Sequence, residues 1–302
     1  MDSMDAGISN PKVAGSIPAG RNVDVRFDEW IKDYHLDPVY LGSTQLKIAD
    51  QSALIFNERV NLGRGVSETS EALALGSLWH TLRELGADQF GERAVLVPAE
   101  FVTAGGAMST KGGAREWVAS QKPDAIVLTP SQSDTLGRMQ EAFTANPAAV
   151  ELEEATLHRE PSIRWESTAG VKVRCRPDAI CDGGRLVDFK TTSEQSPLKT
   201  FCYAVKKYSY GLSAALYEQG CLMAGLADPP MHFVVTSTTS FETQVLTLPQ
   251  SYMDWCRKRL EQLLIEIAER RATDNWNPSG YGTVHEIFMP GFGVDRSGNW
   301  VE

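Results

Sequence analysis

The chain has 302 residues, 42% of them hydrophobic, and a net charge of −10 at pH 7, which argues against a protein that coats nucleic acid but allows a local basic channel. No run approaches the roughly 18 apolar residues of a membrane span and the N-terminus lacks a signal pattern, so we predict a cytoplasmic protein. The five cysteines never form a C-x-x-C pair and indicate neither a disulfide framework nor a zinc or iron–sulfur site.

The N-terminal region is predicted to be an arm followed by a short helix. Residues 1–25 are rich in Gly, Ser, Pro and Asn without periodicity, which indicates disorder. Residues 26–302 are expected to form a single domain. A short helix follows Leu41, with Ser43 or Thr44 as its N-cap.

A longer helix is predicted over Ser67–Gly86, with Ser67 as the cap and Gly86 as the end. One of its faces carries the apolar stripe Leu75, Leu78, Trp79, Leu82 and Leu85. His80 lies beside this stripe on a line of small residues, which would let another element approach closely. A lone helical histidine is more often a packed residue than a metal ligand, so both roles stay open at this point.

The next segment alternates between extended and helical patterns. Ala94–Pro98 is a strand candidate, and a glycine-rich loop with Lys111 and Arg115 follows it without the residue order of a phosphate-binding P-loop. Ala125–Thr129 is a second extended piece. Ser131–Glu154 is predicted to be a pair of helices broken at an Asn-Pro dipeptide.

The centre of the chain, Val171–Thr192, is predicted to be a β-hairpin around an Asp-Gly-Gly turn. A three-residue loop would oppose Cys181 with Arg185, Asp178 with Asp188, and Arg176 with Lys190. Because opposed like charges repel, the two aspartates need a neutralising partner, for which a divalent cation is suited. The other face would carry Val173, Cys175, Val187 and Phe189. The alternative is an exposed hairpin with a solvated charged face, and Pro177 disturbs the simple register.

Further elements flank this hairpin. Glu160 precedes it and could supply a third carboxylate, although surface glutamates are common. Pro197–Leu226 is predicted as one or two helices, with Tyr210, Ser213, Ala214 and Tyr217 on one face. The C-terminal elements are strands at Met231–Thr236 and Phe241–Leu248, a helix over Tyr252–Arg271 and a turn-rich tail from Asp274.

Several motifs occur in a characteristic order along the chain. They are the helix with His80, E-P-S-I-R-W-E from Glu160, R-C-R-P-D ending at Asp178, V-D-F-K-T-T with Asp188 and Lys190, and Y-S-Y-G-L-S-A-A-L-Y from Tyr208. Together they resemble the RecE-type exonucleases (exonuclease VIII) of the PD-(D/E)xK nuclease superfamily. The similarity spans Leu41–Ala268.

The resemblance implies an α/β fold with a restriction-endonuclease-like core, in which helices flank a central mixed sheet. It also implies a magnesium-dependent exonuclease, with one or two ions and manganese as a substitute, that degrades duplex DNA from 5′ ends. A ring-shaped homo-oligomer and a single-strand annealing protein as partner would accompany this activity. The expected catalytic residues are Lys190, Asp188, Asp178, Glu160, His80 and Tyr210, and the expected metal-binding residues are Asp178, Asp188, Phe189, His80 and Glu160.

Two points remain open in this interpretation. Relatives commonly carry glutamine in a Y-x-x-Q-A-A-x-Y pattern, whereas this chain has Ser213. This difference is the only hint of one alternative, a DNA-binding protein that retains the fold, and a PD-(D/E)xK endonuclease of repair or restriction is a second alternative. The residues expected to form a basic DNA-binding channel are Lys111, Arg115, Arg174, Arg176, Lys206 and Lys207.

Overall fold

The structure is a computed structural model that describes residues 23–27, 29, 31–65, 70–110, 112–226, 230–278, 280–284, 293–294 and 300–301. Its strands are β1 (Asp24–Arg26), β2 (Ala94–Leu96), β3 (Ile126–Leu128), β4 (Thr156–Arg159), β5 (Ser162–Glu166), β6 (Lys172–Cys175), β7 (Ala179–Cys181), β8 (Leu186–Thr192), β9 (Met231–Ser237), β10 (Thr243–Thr247), β11 (Gly293–Val294) and β12 (Trp300–Val301). Its α-helices are α1 (Ile31–Leu36), α2 (Ser43–Gln51), α3 (Ala53–Phe56), α4 (Glu71–Leu85), α5 (Ala87–Arg93), α6 (Gly112–Ala119), α7 (Pro130–Thr144), α8 (Pro147–Glu154), α9 (Pro197–Lys207), α10 (Tyr210–Ala224) and α11 (Gln250–Thr273). Within these ranges, no helix is both long and apolar enough to cross a membrane.

A five-stranded sheet in the order β10-β9-β8-β7-β4 is at the centre of the fold. The β8–β9 pair is parallel and the other three pairs are antiparallel. Parallel neighbours need a long crossover connection, which α9 and α10 provide here. A second sheet has the order β1-β5-β6, and β2 and β3 form a parallel pair. This architecture confirms the predicted α/β fold with a central mixed sheet flanked by helices.

Two apolar clusters cover the two faces of the central sheet. The first contains side chains of α2, α9, α10, α11 and the second sheet, and Leu186 of β8 points into it. The second contains side chains of α4, α5, α7 and α8, and it receives Val187 and Phe189. Because successive strand residues point to opposite faces, Asp188 and Lys190 are on the same side of β8 as Leu186.

The turn between β7 and β8 has the predicted register. Ala179 opposes Val187, so the next pair in this register is Asp178 with Asp188. Turn length determines register in a hairpin, and both residues of this pair lie only a few positions from the turn.

The first arm of the predicted hairpin does not continue beyond Pro177. Proline has no N–H to donate to a ladder, and β6 instead pairs with β5 in the second sheet. The prediction that Arg176 opposes Lys190 is therefore wrong. Val173 and Cys175 belong to the first apolar cluster and do not share a face with Val187 and Phe189 of β8, which belong to the second.

Several element boundaries differ from the predictions. Helix α2 is capped at Gly42, whose N–H donates to the Gln45 side chain at 3.0 Å, whereas the predicted cap residues are in its first turn. The Ser70 hydroxyl caps α4, while Ser67 lies outside the described residues. The predicted arm extends too far, because residues 24 and 25 pair with β5, and residues 1–22 are not among those described. Part of the glycine-rich loop is helix α6.

Candidate active site

Most of the predicted site residues converge at one end of the central sheet, around a cavity of about 620 Å³. Its walls come from α1, the first turn of α2, α4, α10 and the chain next to β4 and β7. The site residues that line it are His80, Glu160, Arg174, Arg176, Asp178 and Tyr217. Helix α1 thus forms a wall of the site, and no sequence pattern indicated this role. Together with Glu29 and Asp37 on either side of it, this helix is called the N-terminal segment below.

Three potential metal donors meet at this cavity. Donor atoms of His80, Glu160 and Asp178 lie within 4.8 Å of one another. The Phe189 N–H donates to Asp178 Oδ2 at 2.6 Å, and the Glu160 N–H donates to the Asp178 carbonyl at 3.0 Å. Main-chain hydrogen bonds from two different strands therefore hold the acidic residues in place.

Glu160 has a left-handed backbone conformation, with φ at +50°. For a residue with a side chain this conformation costs roughly 1 kcal/mol or more, and such strain often occurs at functional sites. The residue directly follows β4, and Arg176 Nε donates to its Oε2 at 2.5 Å. The backbone turn and the guanidinium together hold the carboxylate near Asp178.

Asp188 and Lys190 form an ion pair beside the three donors. The Lys190 Nζ lies 2.5 Å from Asp188 Oδ2, and the Asp188 side chain is 4% exposed. The group of three donors does not include Asp188, whose predicted role as a metal ligand therefore stays a prediction. Phe189 has its ring in the second apolar cluster, so only its main chain is available to a metal.

The charge of Asp188 acts on its hairpin neighbour Asp178. Burial raises the pKa of Asp178 well above its usual range and the charge of Asp188 raises it further, against the opposing effect of Lys190. Burial lowers the pKa of Lys190, but the two carboxylates outweigh this and leave it raised. Lys190 is therefore a cation at neutral pH.

Burial also shifts the other two donors towards their neutral forms. It raises the pKa of Glu160 to about 7, with a further contribution from Asp178 and an opposing one from Arg176. The pKa of His80 is lowered by burial and by the charge of Lys190. The His80 imidazole is thus neutral at neutral pH, which is the form that binds metals.

This donor set fits a divalent cation. The ionised forms of Asp178 and Glu160 are disfavoured by burial and mutual repulsion, and a bound cation would relieve both effects. Oxygen donors suit hard divalent ions, and a neutral imidazole is compatible with them.

Lys47 is a candidate that sequence reasoning missed. Its Nζ lies 5.1 Å from the centroid of the Tyr210 ring, and Lys190 Nζ lies 5.4 Å from the same centroid. Burial, together with the charge of Lys190, lowers the pKa of Lys47 to about 8. Lys47 is in the middle of α2, where no local motif distinguishes it from an ordinary surface lysine.

Two polar residues of helix α10, Ser213 and Tyr217, have different surroundings. Tyr217 lines the cavity, and its pKa is raised by burial and by the charges of Asp188 and Asp178. Ser213, at the position of the family glutamine, is 4% exposed, and its Oγ has no hydrogen-bond partner in the part of the chain that is described.

The predicted DNA-binding residues separate into exposed and buried groups. Arg115, Lys206 and Lys207 are exposed, and their DNA contacts stay predictions. Lys111 lies outside the described residues. Arg174 and Arg176 are only 2% and 8% exposed and line the cavity, and their DNA contacts likewise stay predictions.

These two arginines have partners inside the protein. Arg174 Nη1 donates to the main-chain carbonyls of Tyr34 and Asp37. Arg176 donates to Glu160 and also to Ser162 Oγ at 2.9 Å. Because alternate residues of a strand point to the same side, both arginines face the N-terminal segment, and they hold it beside the cavity.

Comparisons with known proteins place the fold in a family. No curated protein is significantly similar to the chain in sequence. The structure is similar to the crystal structure of a protein from Eubacterium rectale described as a "Putative exonuclease", with a TM-score of 0.59 and 14% identity over 86% of this chain and 96% of that chain. Residues 42–282 match the family described as "PDDEXK-like domain of unknown function (DUF3799)". This match covers most of the chain and all of the site residues above, and the chain belongs to this PDDEXK-like family.

Proposed function

We propose that the protein is a magnesium-dependent deoxyribonuclease of the RecE type, which degrades linear double-stranded DNA from its 5′ ends. The observation that most directly supports this proposal is that Asp178 lies close to Asp188 and Lys190. These residues share one site with His80 and Glu160. The PDDEXK-like family and the likeness to a protein described as an exonuclease support a nuclease. The preference for duplex ends and the direction are supported by the resemblance to RecE-type exonucleases alone.

The carboxylates and His80 are the residues that would hold the metal. His80, Glu160 and Asp178 would hold one ion, and Asp188 is the next carboxylate available to it or to a second ion. Magnesium, or manganese in its place, would supply positive charge that stabilises the phosphate and the leaving oxygen.

Lys190 is suited to donate hydrogen bonds and is too basic to act as a general base. Its raised pKa keeps the ammonium charged, so it can orient the attacking water and stabilise charge on the phosphate. Asp188 fixes the direction of this ammonium, and Lys47 adds a second positive charge beside Tyr210. In the reaction, the water gives up a proton to solvent as its oxygen bonds to phosphorus, the bond from phosphorus to the leaving sugar oxygen breaks, and that oxygen takes up a proton from solvent.

A time course on end-labelled linear duplex DNA tests this proposal. With magnesium or manganese, we expect a label at the 5′ end to be released before a label at the 3′ end. We expect no cleavage with chelator and no cleavage of circular DNA. Asp188→Asn is the test variant and should be inactive. Asp182 is an exposed aspartate of the same hairpin that pairs with Arg185, so Asp182→Asn is the matched control and should leave cleavage unchanged. Cleavage of circular DNA would instead favour an endonuclease, and a protein that cuts no DNA with either metal would contradict the proposal.

We further propose that the protein acts as a ring-shaped homo-oligomer with a single-strand annealing protein as partner. This part is supported by the resemblance to RecE-type exonucleases alone. Light scattering on the purified protein should report a mass of several chains, and a monomer under assay conditions would contradict the ring.

A further inference from the structure

A row of aromatic rings and lysine side chains leads from the candidate active site to the surface. Tyr210 lies beside Lys190, and the Tyr208 ring is 5.6 Å from the Tyr210 ring with an interplanar angle of 31°. The Nζ of Lys207 lies 5.1 Å from the centroid of the Tyr208 ring. Tyr208 is 47% exposed, whereas Tyr210 is half-buried against Phe201. We call Lys207, Tyr208 and Tyr210 the aromatic row.

The backbone at Ser209 makes the two rings neighbours. In a continuous helix, side chains two positions apart are rotated by roughly 200° about the helix axis. They therefore point to nearly opposite sides and do not meet. Ser209 has φ 50° and ψ 44°, in the left-handed region, at the junction of α9 and α10. This break brings Tyr208 and Tyr210 to the same side. A non-glycine residue adopts such a conformation only where its surroundings enforce it.

The chemistry of the row fits an unpaired strand of DNA. A half-exposed aromatic ring offers a flat face to a base, and a lysine beside it offers charge to the adjoining phosphate. Bases inside a duplex are already stacked on both faces, so such a ring is of use only to a separated strand. The inner end of the row is Tyr210, within reach of Lys190 and Lys47. A strand along the row would therefore enter or leave the site itself.

We propose that Tyr208 stacks a base of the single strand next to the phosphate being cut, while Lys207 contacts the backbone of that strand. This inference rests on the proposed nuclease function and adds to it a binding subsite for single-stranded DNA. Tyr203 provides a matched control, since it is on α9, the helix that Tyr208 follows directly, is 73% exposed, and has no ring contact within the described part of the chain.

Binding of fluorescent single-stranded DNA, measured by anisotropy with chelator present, tests the subsite without any cleavage. We expect Tyr208→Ala to weaken binding of an oligothymidine of about 15 nucleotides by about tenfold, with Tyr208→Phe and Tyr203→Ala within about twofold of the unchanged protein. Replacing the thymines by abasic sites should weaken binding to the unchanged protein and have a smaller effect on Tyr208→Ala. Lys207→Gln should lower the slope of log affinity against log salt by about 0.7.

Three results would overturn the subsite. They are equal affinity of Tyr208→Ala and the unchanged protein, an equal loss in Tyr208→Phe and Tyr208→Ala, and the same penalty for abasic DNA in both proteins. An unchanged salt slope in Lys207→Gln would overturn the lysine contact. Since chelator abolishes hydrolysis, a protein that binds as expected but never cleaves would contradict the proposed function and leave the subsite standing. A protein that cleaves duplex ends but shows none of these binding differences would contradict the subsite and leave the proposed function standing.

Discussion

Two groups of buried charge in this protein are built in opposite ways. The arginine cluster, which holds the N-terminal segment against the second sheet, consists of Arg164, Arg174 and Arg176. Its charges meet opposite charges or carbonyls: Arg164, for example, donates to both oxygens of Glu29 at 2.7 and 2.8 Å. In the candidate active site, by contrast, Asp178 lies beside Asp188, and burial together with the charge of Asp188 disfavours the charge of Asp178.

The difference distinguishes charge that maintains the fold from charge that awaits a ligand. A buried pair of opposite charges fixes a geometry, and removing one partner leaves a charge that nothing compensates. Buried like charges do the opposite, because they destabilise the protein until a counterion arrives. The arginine cluster should thus control stability, and the carboxylates should control metal binding and activity.

The largest expected effect comes from Asp188→Asn, which keeps the shape of the side chain and removes its charge. We expect cleavage of linear duplex DNA to fall by at least about 10³-fold, because the ammonium of Lys190 loses its partner and the metal loses a carboxylate. The free energy of unfolding should change less than in Arg164→Met, since the relief of repulsion with Asp178 offsets the loss of the buried ion pair with Lys190. Cleavage assays and urea unfolding check both halves, and a variant that cleaves normally would refute the proposed role.

Arg164→Met tests the other side of the comparison. The substitution removes the guanidinium group that pairs with Glu29 and Asp37. The free energy of unfolding should therefore fall by about 4 kcal/mol. Cleavage per folded molecule should change little, because Arg164 contacts none of the three donors. Urea unfolding and an active-fraction titration measure the two quantities. Unchanged stability with lost activity would reverse the assignment.

Glu160→Gln tests whether the crowded carboxylates destabilise the metal-free protein. The folded pKa of about 7 exceeds the ordinary 4.5, so the folded state holds this proton more tightly than the unfolded state. Stability is therefore full below pH 4.5 and is lost as pH rises to about 7, by roughly 3 kcal/mol. With chelator present, Glu160→Gln should remove most of this loss. Parallel pH curves for both proteins would contradict the assignment.

Lys47→Met is expected to have the smallest effect. It retains the aliphatic stem and removes a charge that burial and Lys190 disfavour, so stability should not fall as it does in Arg164→Met. At low salt, kcat/KM should decrease about tenfold, because one positive charge at the phosphate is lost. Lys258→Met, which changes an exposed helical lysine, is the control and should match the unchanged protein. Equal kcat/KM in the two variants would remove Lys47 from the site.

Interactions close in sequence were predictable and distant ones were not. The proximity of Asp178 and Asp188 follows from the length of one turn, which is why counting residues found it. The prediction for Arg176 failed because Pro177 sends the preceding strand to another sheet. Arg164 and its partner Glu29 are 135 positions apart, and no local pattern encodes such a contact. The approach of Lys47 to Tyr210 is equally long-range.

Strand β8 has a consequence for how this protein loses its structure. Its alternate residues anchor in both apolar clusters, and it has hydrogen-bonded neighbours on both edges. Neither half of the molecule can therefore melt while the other persists, and denaturation should be cooperative. Amide protons of β8 should exchange with solvent only through global opening. Because Asp188 and Lys190 are on this strand, partly melted molecules with a working catalytic centre should not accumulate.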